Sequence, residues 1–451
     1  MSFRTLVYLF FAQRPFRQPA LTLCAWLALT PLAQAQEAAP ENFALHGQGT
    51  YIWQRQPSFH SPYEGVNSLS SERGKSYSAS LTLDIGWRPW RGAELHLNPE
   101  IMQGVAFSGL RGLGGMSNGE LAKVTSSSPK AHLSGFFLRQ TWDLEGESES
   151  LESDFNQLAG RVGARRVVLT AGKVSALDAF GHAQYAHDTR TQFFNGAFMT
   201  HGSFDYPADA LGYTWGAALS FITPGYALHA GRFAQPVASN GQAIDLHLSR
   251  HYGDMLGFEK RYTLSGQPGT VRLLLWRNKA RMGAFDDAVR WGAATGDTPD
   301  LAAVRQNQAK RGVGVSVEQA LNDDVTVFAG AGLSDDRTET YAFTEIGRDF
   351  TAGALIRGGI WGRPKDTLGI GLAVNALGRA HRDYLAAGGL GAFLGDGRLN
   401  YGRERIVELF YAWQLNRYVS LSPDFQLIRN PGYNRDRGPV RFYGLRLHAE
   451  F

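Results

Sequence analysis

The sequence predicts an all-β protein, a transmembrane antiparallel β-barrel of sixteen strands with long outer loops and short periplasmic turns. Three observations carry this reading. Apolar and polar residues alternate in segments along the whole chain; the connectors between segments are by turns short and long; and the chain stops on an aromatic, Phe451, inside one of the clearest alternating segments. A strand points successive side chains to opposite faces, so each such segment has one greasy and one polar face. In an outer-membrane barrel the greasy face meets lipid and the polar face lines a wet lumen.

The last strand shows the pattern best. Tyr443, Leu445, Leu447, Ala449 and Phe451 alternate with Gly444, Arg446, His448 and Glu450. Tyr77 to Arg88 sets Tyr77, Ala79, Leu81, Leu83, Ile85 and Trp87 against Ser78, Thr82 and Asp84, and its partner sets Leu95, Leu97 and Ile101 against Glu94, His96 and Glu100. Val407, Leu409, Tyr411 and Trp413, then Val419, Leu421, Phe425 and Leu427, repeat it. A periplasmic β-sandwich would show the same hydropathy, and connector length separates the two.

Short connectors sit at Pro89–Gly92, Thr223–Gly225, Ser265–Gly269, Asn322–Asp324, Gly362–Asp366 and Asn416–Tyr418. Long ones run over Gln56–Ser76, Gly104–Lys130, Met282–Lys310, Ser334–Gly347, Gly378–Glu404 and Arg429–Pro439. If every short turn shares the periplasmic end with Phe451, sixteen strands fit. This count makes Thr338–Ile346 part of an outer loop and Ala243–Leu264 one long strand. Eighteen strands fit if Ala243–Leu264 is a hairpin and Gln192–Met199 crosses the wall. Glu145–Ala164 stands where a short turn is expected, and its composition predicts a periplasmic excursion with a short helix around Leu151–Leu158.

The N-terminus reads as a secretory signal over residues 1–35. Arg4, Arg14 and Arg17 precede an apolar run from Ala20 to Leu32, and Ala33-Gln34-Ala35 supplies the cleavage site. The apolar run is too short for a span of roughly 20 residues, so residues 36–451 form the exported barrel domain. The one cysteine, Cys24, leaves with the signal, which excludes disulfides and thiolate metal sites. Losing three arginines also brings the net charge of +4 close to neutrality, and a nucleic-acid partner loses its electrostatic motive.

Chemical motifs are sparse. Gly74-Lys75-Ser76 has Leu69 where a phosphate loop needs glycine, and no serine elbow, metalloprotease helix or EF-hand pattern occurs. His182 and His187 lie five apart in a loop, where a chance pair is the simpler reading. No catalytic residue, cofactor or metal is expected. The long stretch Ser175–Ala210 crowds Asp178, His182, Tyr185, His187, Asp188 and Arg190 among aromatics. A loop of that length either fills the lumen of a large barrel or satisfies itself on the surface.

Several longer motifs carry a family resemblance. They are Tyr185-Ala-His-Asp-Thr-Arg-Thr-Gln-Phe193, Phe136-Phe-Leu-Arg-Gln-Thr-Trp142, Trp361-Gly-Arg-Pro-Lys-Asp-Thr367, His381-Arg-Asp-Tyr-Leu-Ala-Ala-Gly-Gly-Leu390, Gly395-Asp-Gly-Arg-Leu-Asn-Tyr401 and Asn430-Pro-Gly-Tyr-Asn-Arg-Asp-Arg-Gly-Pro439. From Phe43 to Phe451 the chain resembles the carbohydrate-selective porins of Gram-negative outer membranes. It departs at Asp188-Thr189-Arg190, where that family usually shows Asp-Pro-Arg. The resemblance implies a channel for passive diffusion of small carbohydrates such as monosaccharides, narrowed by inward loops. It implies pore-facing roles for Arg139, Lys173, Asp178, Tyr185, Asp188 and Arg190. Guanidinium forks donate to hydroxyls and carboxylates accept from them, although lumenal charges also form ion pairs that merely brace a wall. Phe136, Leu138 and Trp142 facing lipid would turn Arg139 inward, with the loop carrying Arg190 folding towards it.

The implied surroundings are outer-membrane lipid and lipopolysaccharide, reached by Sec export, with the barrel-assembly machinery reading Phe451; a homotrimer is compatible with this class. The rivals are a porin for an organic acid or polyol and an outer-membrane barrel enzyme.

Overall fold

In the computed structural model, residues 40–124, 126–181 and 186–451 are described. The leader expected over residues 1–35 lies outside them, as do His182 and Tyr185. Strand β1 (Phe43–Gln56) pairs with β2 (Gly74–Trp87), β2 with β3 (Ala93–Val105) and β3 with β4 (Lys130–Asp143). A hairpin of β5 (Ser148–Leu151) and β6 (Gly160–Gly163) stands apart before the wall resumes with β7 (Arg166–Val174), β8 (Thr214–Ile222) and β9 (Tyr226–Pro236). The two-residue β10 (Ile244–Asp245) pairs with the end of β9. The wall then runs through β11 (Tyr252–Leu264), β12 (Gln267–Met282), β13 (Gln306–Ala320), β14 (Val325–Ser334), β15 (Arg348–Gly358), β16 (Arg363–Ala376), β17 (Glu404–Gln414), β18 (Val419–Arg429) and β19 (Val440–Glu450). Pairing is antiparallel throughout, and β19 returns to β1, from Gln48 opposite Glu450 to Arg55 opposite Tyr443. Apart from β5, β6 and β10, sixteen strands among the described residues close one barrel.

The faces are inverted relative to a water-soluble core. Leu256, Leu275, Phe350, Leu409, Tyr443 and Leu445 are exposed, whereas inward Glu408, Gln426 and Arg446 are fully buried. A closed barrel with an apolar exterior fits hydrocarbon, where every backbone polar group must find a partner inside the protein. No helix among the described residues is long and apolar enough to cross a membrane; the crossing elements are strands. Trp87, Trp90, Trp142, Trp361 and Trp413 gather at the short-turn end, as an interfacial aromatic girdle should. Ser265 and Gly266 both have positive φ, the mirror-image two-residue turn that matches strand twist between β11 and β12.

Two sequence expectations are corrected. Leu151–Leu158 is not helical: β5 and β6 pair, Asp154 bridges Gln157, and Asn156 adopts a left-handed φ of 61°. The tip folds into the periplasmic mouth instead, where Asn156 N donates to Asp84 Oδ2 at 2.8 Å and Leu158 is fully buried. Nor is Ala243–Leu264 one strand. The Asp245 carboxylate accepts from His247 N at 3.0 Å and lies 2.6 and 2.7 Å from the His247 and His251 rings. That local network competes with the ladder, so the wall strand starts at Tyr252. The count of sixteen survives, because Thr338–Ile346 lies in the β14–β15 loop and Gln192–Met199 lies outside every wall strand.

At the long-loop end, two helices, Phe285–Thr295 and Arg379–Ala386, pack with Leu301, Leu377, Leu394 and Tyr433 as a cap. His381 stacks on Phe285 at 4.1 Å between centroids, with Nδ1 3.1 Å from Asp336 and Nε2 3.7 Å from Glu345. Burial alone would lower its pKa, but the two carboxylates outweigh that and push it up to about 9.

Two predictions follow from closure and from the cap. Phe451 N donates to Gly47 O and Gly47 N to Phe451 O, each at 3.0 Å, and a Cβ on Gly47 would stand 2.6 Å from the Phe451 ring. Deleting Phe451, or the substitution Gly47→Leu, should each lower the yield of heat-modifiable barrel on gels, whereas Glu450→Gln should not. The raised His381 contributes its stability in full below its ordinary pKa of about 6.5; that contribution is lost as pH rises through about 9. Tryptic cleavage within residues 377–403, corrected for the activity of trypsin on an unstructured substrate, should accelerate severalfold across that range. His381→Gln should be cleaved quickly already at neutral pH and show a flattened pH dependence.

Candidate functional site

The β7–β8 loop, residues 175–213, turns into the barrel because the wall offers it specific partners. Arg446 on β19 donates to the carbonyls of Thr189, Thr191 and Gln192 at 2.9, 2.8 and 2.6 Å and to Ser422 Oγ at 3.1 Å. Its guanidinium also lies 4.4 Å from the Phe194 ring centroid. Glu408 on β17 accepts from Phe194 N and from Asn195 N, the latter at 3.0 Å, and Asn195 Nδ2 donates to Gln426 on β18. Phe193 stacks on Phe198 and meets Phe328 and Phe410 edge-on. Gly371 on β16 makes this possible, since a Cβ there would sit 2.7–2.8 Å from Phe193 and Phe198. Donors to free carbonyls, acceptors to free amides and an aromatic seat together hold a loop that would otherwise bury unpaired backbone.

Two more loops pack beside it. In the β3–β4 loop, Gly114 N and Gly115 N donate to Glu404 at 3.0 and 2.9 Å, and Ser117 O accepts from Gln54 and Gln426, both at 2.8 Å. In the β14–β15 loop, Tyr341 N and Ala342 N donate to Asp205, whose carboxylate lies 3.4 Å from Lys310.

Against β3 these loops build a charged knot. Arg190 Nη2 lies 2.6 Å from Glu100 and its Nε 3.1 Å from Glu120. Glu100 also accepts from Thr82 Oγ1 at 2.8 Å and from Tyr213 OH at 3.4 Å, and His132 Nε2 stands 2.8 Å away. Lys123 Nζ donates to Tyr213 OH at 3.1 Å. Across the lumen the wall carries an open ladder of alternating charge. Arg261 Nε and Arg272 Nε each lie 2.9 Å from Glu259, and Arg272 Nη1 lies 2.6 Å from Glu318. A cavity of about 50 Å³ separates Phe180 and His201 of the loop from His229, Glu259 and Arg272. A larger one, about 290 Å³, opens under Thr191 and Gln192 at the short-turn end. Among the described residues no group of three or more His, Cys, Asp or Glu is arranged to hold a metal ion.

Of the five described residues among the six expected at the pore, the structure joins Asp188 and Arg190 alone. Asp188 Oδ1 accepts from Arg190 N at 2.8 Å, so this carboxylate shapes the turn that carries Arg190. The Arg190 guanidinium is spent on two carboxylates. Arg139 does point inward, but it does not meet Arg190. Its Nη1 lies 3.1 Å from Glu94 and donates to Asn156 O at 2.6 Å, at the periplasmic mouth. Glu94 and Glu100 are six residues apart on β3, about 20 Å along a strand, and the β5–β6 tip fills the space below. Lys173 falls in the outward register, opposite Phe136 and Trp215, with Nζ 3.7 Å from Asp209. Asp178 is exposed on the short helix Leu177–Phe180, beside Phe180 of the smaller cavity. Tyr185 lies outside the described residues.

Sequence reasoning passed over Glu100, Glu408 and Arg446, although each stands at an inward position of an alternating strand. Their signal was a charge on the lumenal face; what was invisible is that they face loops rather than solute. The ladder of Glu259, Arg261, Arg272 and Glu318 was not visible either, because it forms only when β11, β12 and β13 lie side by side in register.

The family model for carbohydrate-selective porin, OprB family, matches residues 72–451. Among solved structures the chain is similar to Pseudomonas putida OprB, with 17% identity, 91% of this chain and 94% of that chain covered, and a TM-score of 0.69. It is also similar to the outer-membrane channel DcaP of Acinetobacter baumannii, with 10% identity, 91% and 97% covered, and a TM-score of 0.50. No curated protein matches the chain. At these identities the two structures speak to the fold alone. The family match spans most of the chain, and with the closed sixteen-stranded barrel beneath it the chain belongs to the carbohydrate-selective porins of the OprB family.

Proposed function

We propose that this outer-membrane carbohydrate channel passes small, uncharged sugars such as monosaccharides by diffusion, and that selection occurs where the β7–β8 loop faces the ladder on β11, β12 and β13. The observation that carries this is the charge balance of that ladder: two arginines, Arg261 and Arg272, alternate with two carboxylates, Glu259 and Glu318. Such a wall sets a field across the gap with little net charge along it, so an organic anion gains nothing over a neutral solute. Hydroxyl groups, by contrast, find donors and acceptors side by side. Of the residues anticipated from sequence, this reading keeps Asp178 as a solute contact, supported by its exposure and its nearness in the chain to Phe180, which lines the smaller cavity. Arg139, Asp188 and Arg190 are structural on this reading: the Arg190 guanidinium is buried between its carboxylates, Asp188 shapes the turn that carries it, and Arg139 is held on Asn156 at the periplasmic mouth. Arg261, by contrast, keeps 44% of its side chain exposed beside its ion pair.

The same proposal includes Sec export through a signal over residues 1–35, lipid and lipopolysaccharide as surroundings, and recognition of Phe451 by the barrel-assembly machinery. It includes no nucleophile and no cofactor: pore width and lumenal hydrogen bonds do the work.

The ladder is tested with Arg261→Gln and Arg272→Gln together. Reversal potential in a KCl gradient should move towards cation preference, and block of single-channel current by glucose should weaken roughly tenfold, the size expected for lost charge-assisted hydrogen bonds. Wild-type values for both would move selection elsewhere. The clasp is tested with Arg446→Gln, which strands loop carbonyls at about 1–3 kcal/mol each. The β7–β8 loop should loosen, and single-channel conductance should rise and become noisier.

A further inference from the structure

We propose that the 290 Å³ vestibule is a second, release-side subsite for one neutral monosaccharide, held by Asp324, Arg357 and Lys365 along the β14–β16 stretch of the wall and by Glu450 on β19. The proposal rests on the reading of the chain as a sugar channel, and adds a site that the selection gap does not include. The vestibule lies at the short-turn end below Thr191 and Gln192 and shares no lining residue with the smaller cavity at the selection gap.

The lumenal arginines described above are all committed: Arg190, Arg261 and Arg272 to carboxylates, and Arg446 to loop carbonyls. Arg357 and Lys365 differ. Both are exposed, and neither head group has a hydrogen-bond or ion-pair partner among the described residues. The Asp324 carboxylate also has no side-chain partner among the described residues, and Glu450 is engaged only by His448, at 3.3 Å. At the ladder a sugar hydroxyl shares donors and acceptors with a formed ion pair; at Arg357, Lys365 and Asp324 it competes with water alone. Two cations and two carboxylates balance in charge, so the site offers forked donors and paired acceptors without favouring an ion. Leu355 and Tyr418 add apolar surface for the C–H face of a pyranose. The volume stands at the lower end of small-molecule sites, roughly 300 Å³, which suits one sugar ring rather than an oligosaccharide. Binding at successive weak sites is how a channel can select and still release.

The test uses the full-length barrel in planar bilayers, with glucose added to one chamber at a time and current noise recorded. The probe variant is Arg357→Gln with Lys365→Gln, checked for heat-modifiable assembly; Lys365→Gln alone reads the same effect, at about threefold, if the double variant assembles poorly. Glucose from the periplasmic side should bind the double variant about tenfold more weakly than wild type. Block from the outer side should persist, because the ladder is untouched. Equal periplasmic-side block in variant and wild type would overturn the subsite and leave the channel reading standing. Absence of glucose-dependent noise in the wild type from both sides would bring down the channel reading itself, and the subsite with it.

Discussion

Hydrocarbon offers no partner to a backbone amide, and the rest of this structure is a response to that fact. A sheet with free edges could not stay in the bilayer, so β19 returns to β1 and the wall closes. Closure divides each strand's two faces between lipid and lumen, which places Glu100, Glu408 and Arg446 inside a space that must then be filled or hydrated. Loops entering that space carry backbone groups of their own. Arg446 and Glu408 meet them with donors and acceptors, and Phe193 and Phe198 lie against glycine on β16. The shape of the channel is therefore the part of the lumen that these loops leave open.

Barrel architecture was legible in the sequence because it rests on period-two hydropathy and connector length, both local quantities. Tyr443 to Phe451 declares its two faces without reference to anything else in the chain. Even the expectation that Thr338–Ile346 belongs to a loop came from parity, a bookkeeping property of an even barrel. Where local side-chain chemistry competed with pairing, the reading slipped. Asp245 draws its own histidines and a backbone amide into a turn, and the apparent strand loses its first residues. The connector Glu145–Ala164 was expected to hold a short helix around Leu151–Leu158, yet it forms a hairpin whose Leu158 is buried by insertion into the barrel mouth.

The site was less legible, for a different reason. Register tells which way Arg139 points but not what stands opposite, and its partner Asn156 comes from a hairpin whose course alternation does not encode. Arg190 was found through a motif, yet whether a guanidinium meets solute or carboxylate depends on Glu100 and Glu120, which are distant in sequence. Composition counts charges; only the fold decides which of them are already spent. That distinction separates Arg190 from Arg357, two inward arginines with the same chemistry and opposite availability.

The seam between β1 and β19 has a consequence for the order of events in folding. It joins Gln48 to Glu450, so the last ladder closes the longest possible loop of the wall. All other wall ladders join strands that follow one another along the chain, and can form progressively as the polypeptide arrives. The seam must wait, and until then both edges of a nearly finished sheet remain open to pairing with other chains. A polypeptide halted before β19 would keep those edges permanently. The wall thus carries its own proofreading: only a chain delivered through to its last strand can withdraw from association with its neighbours.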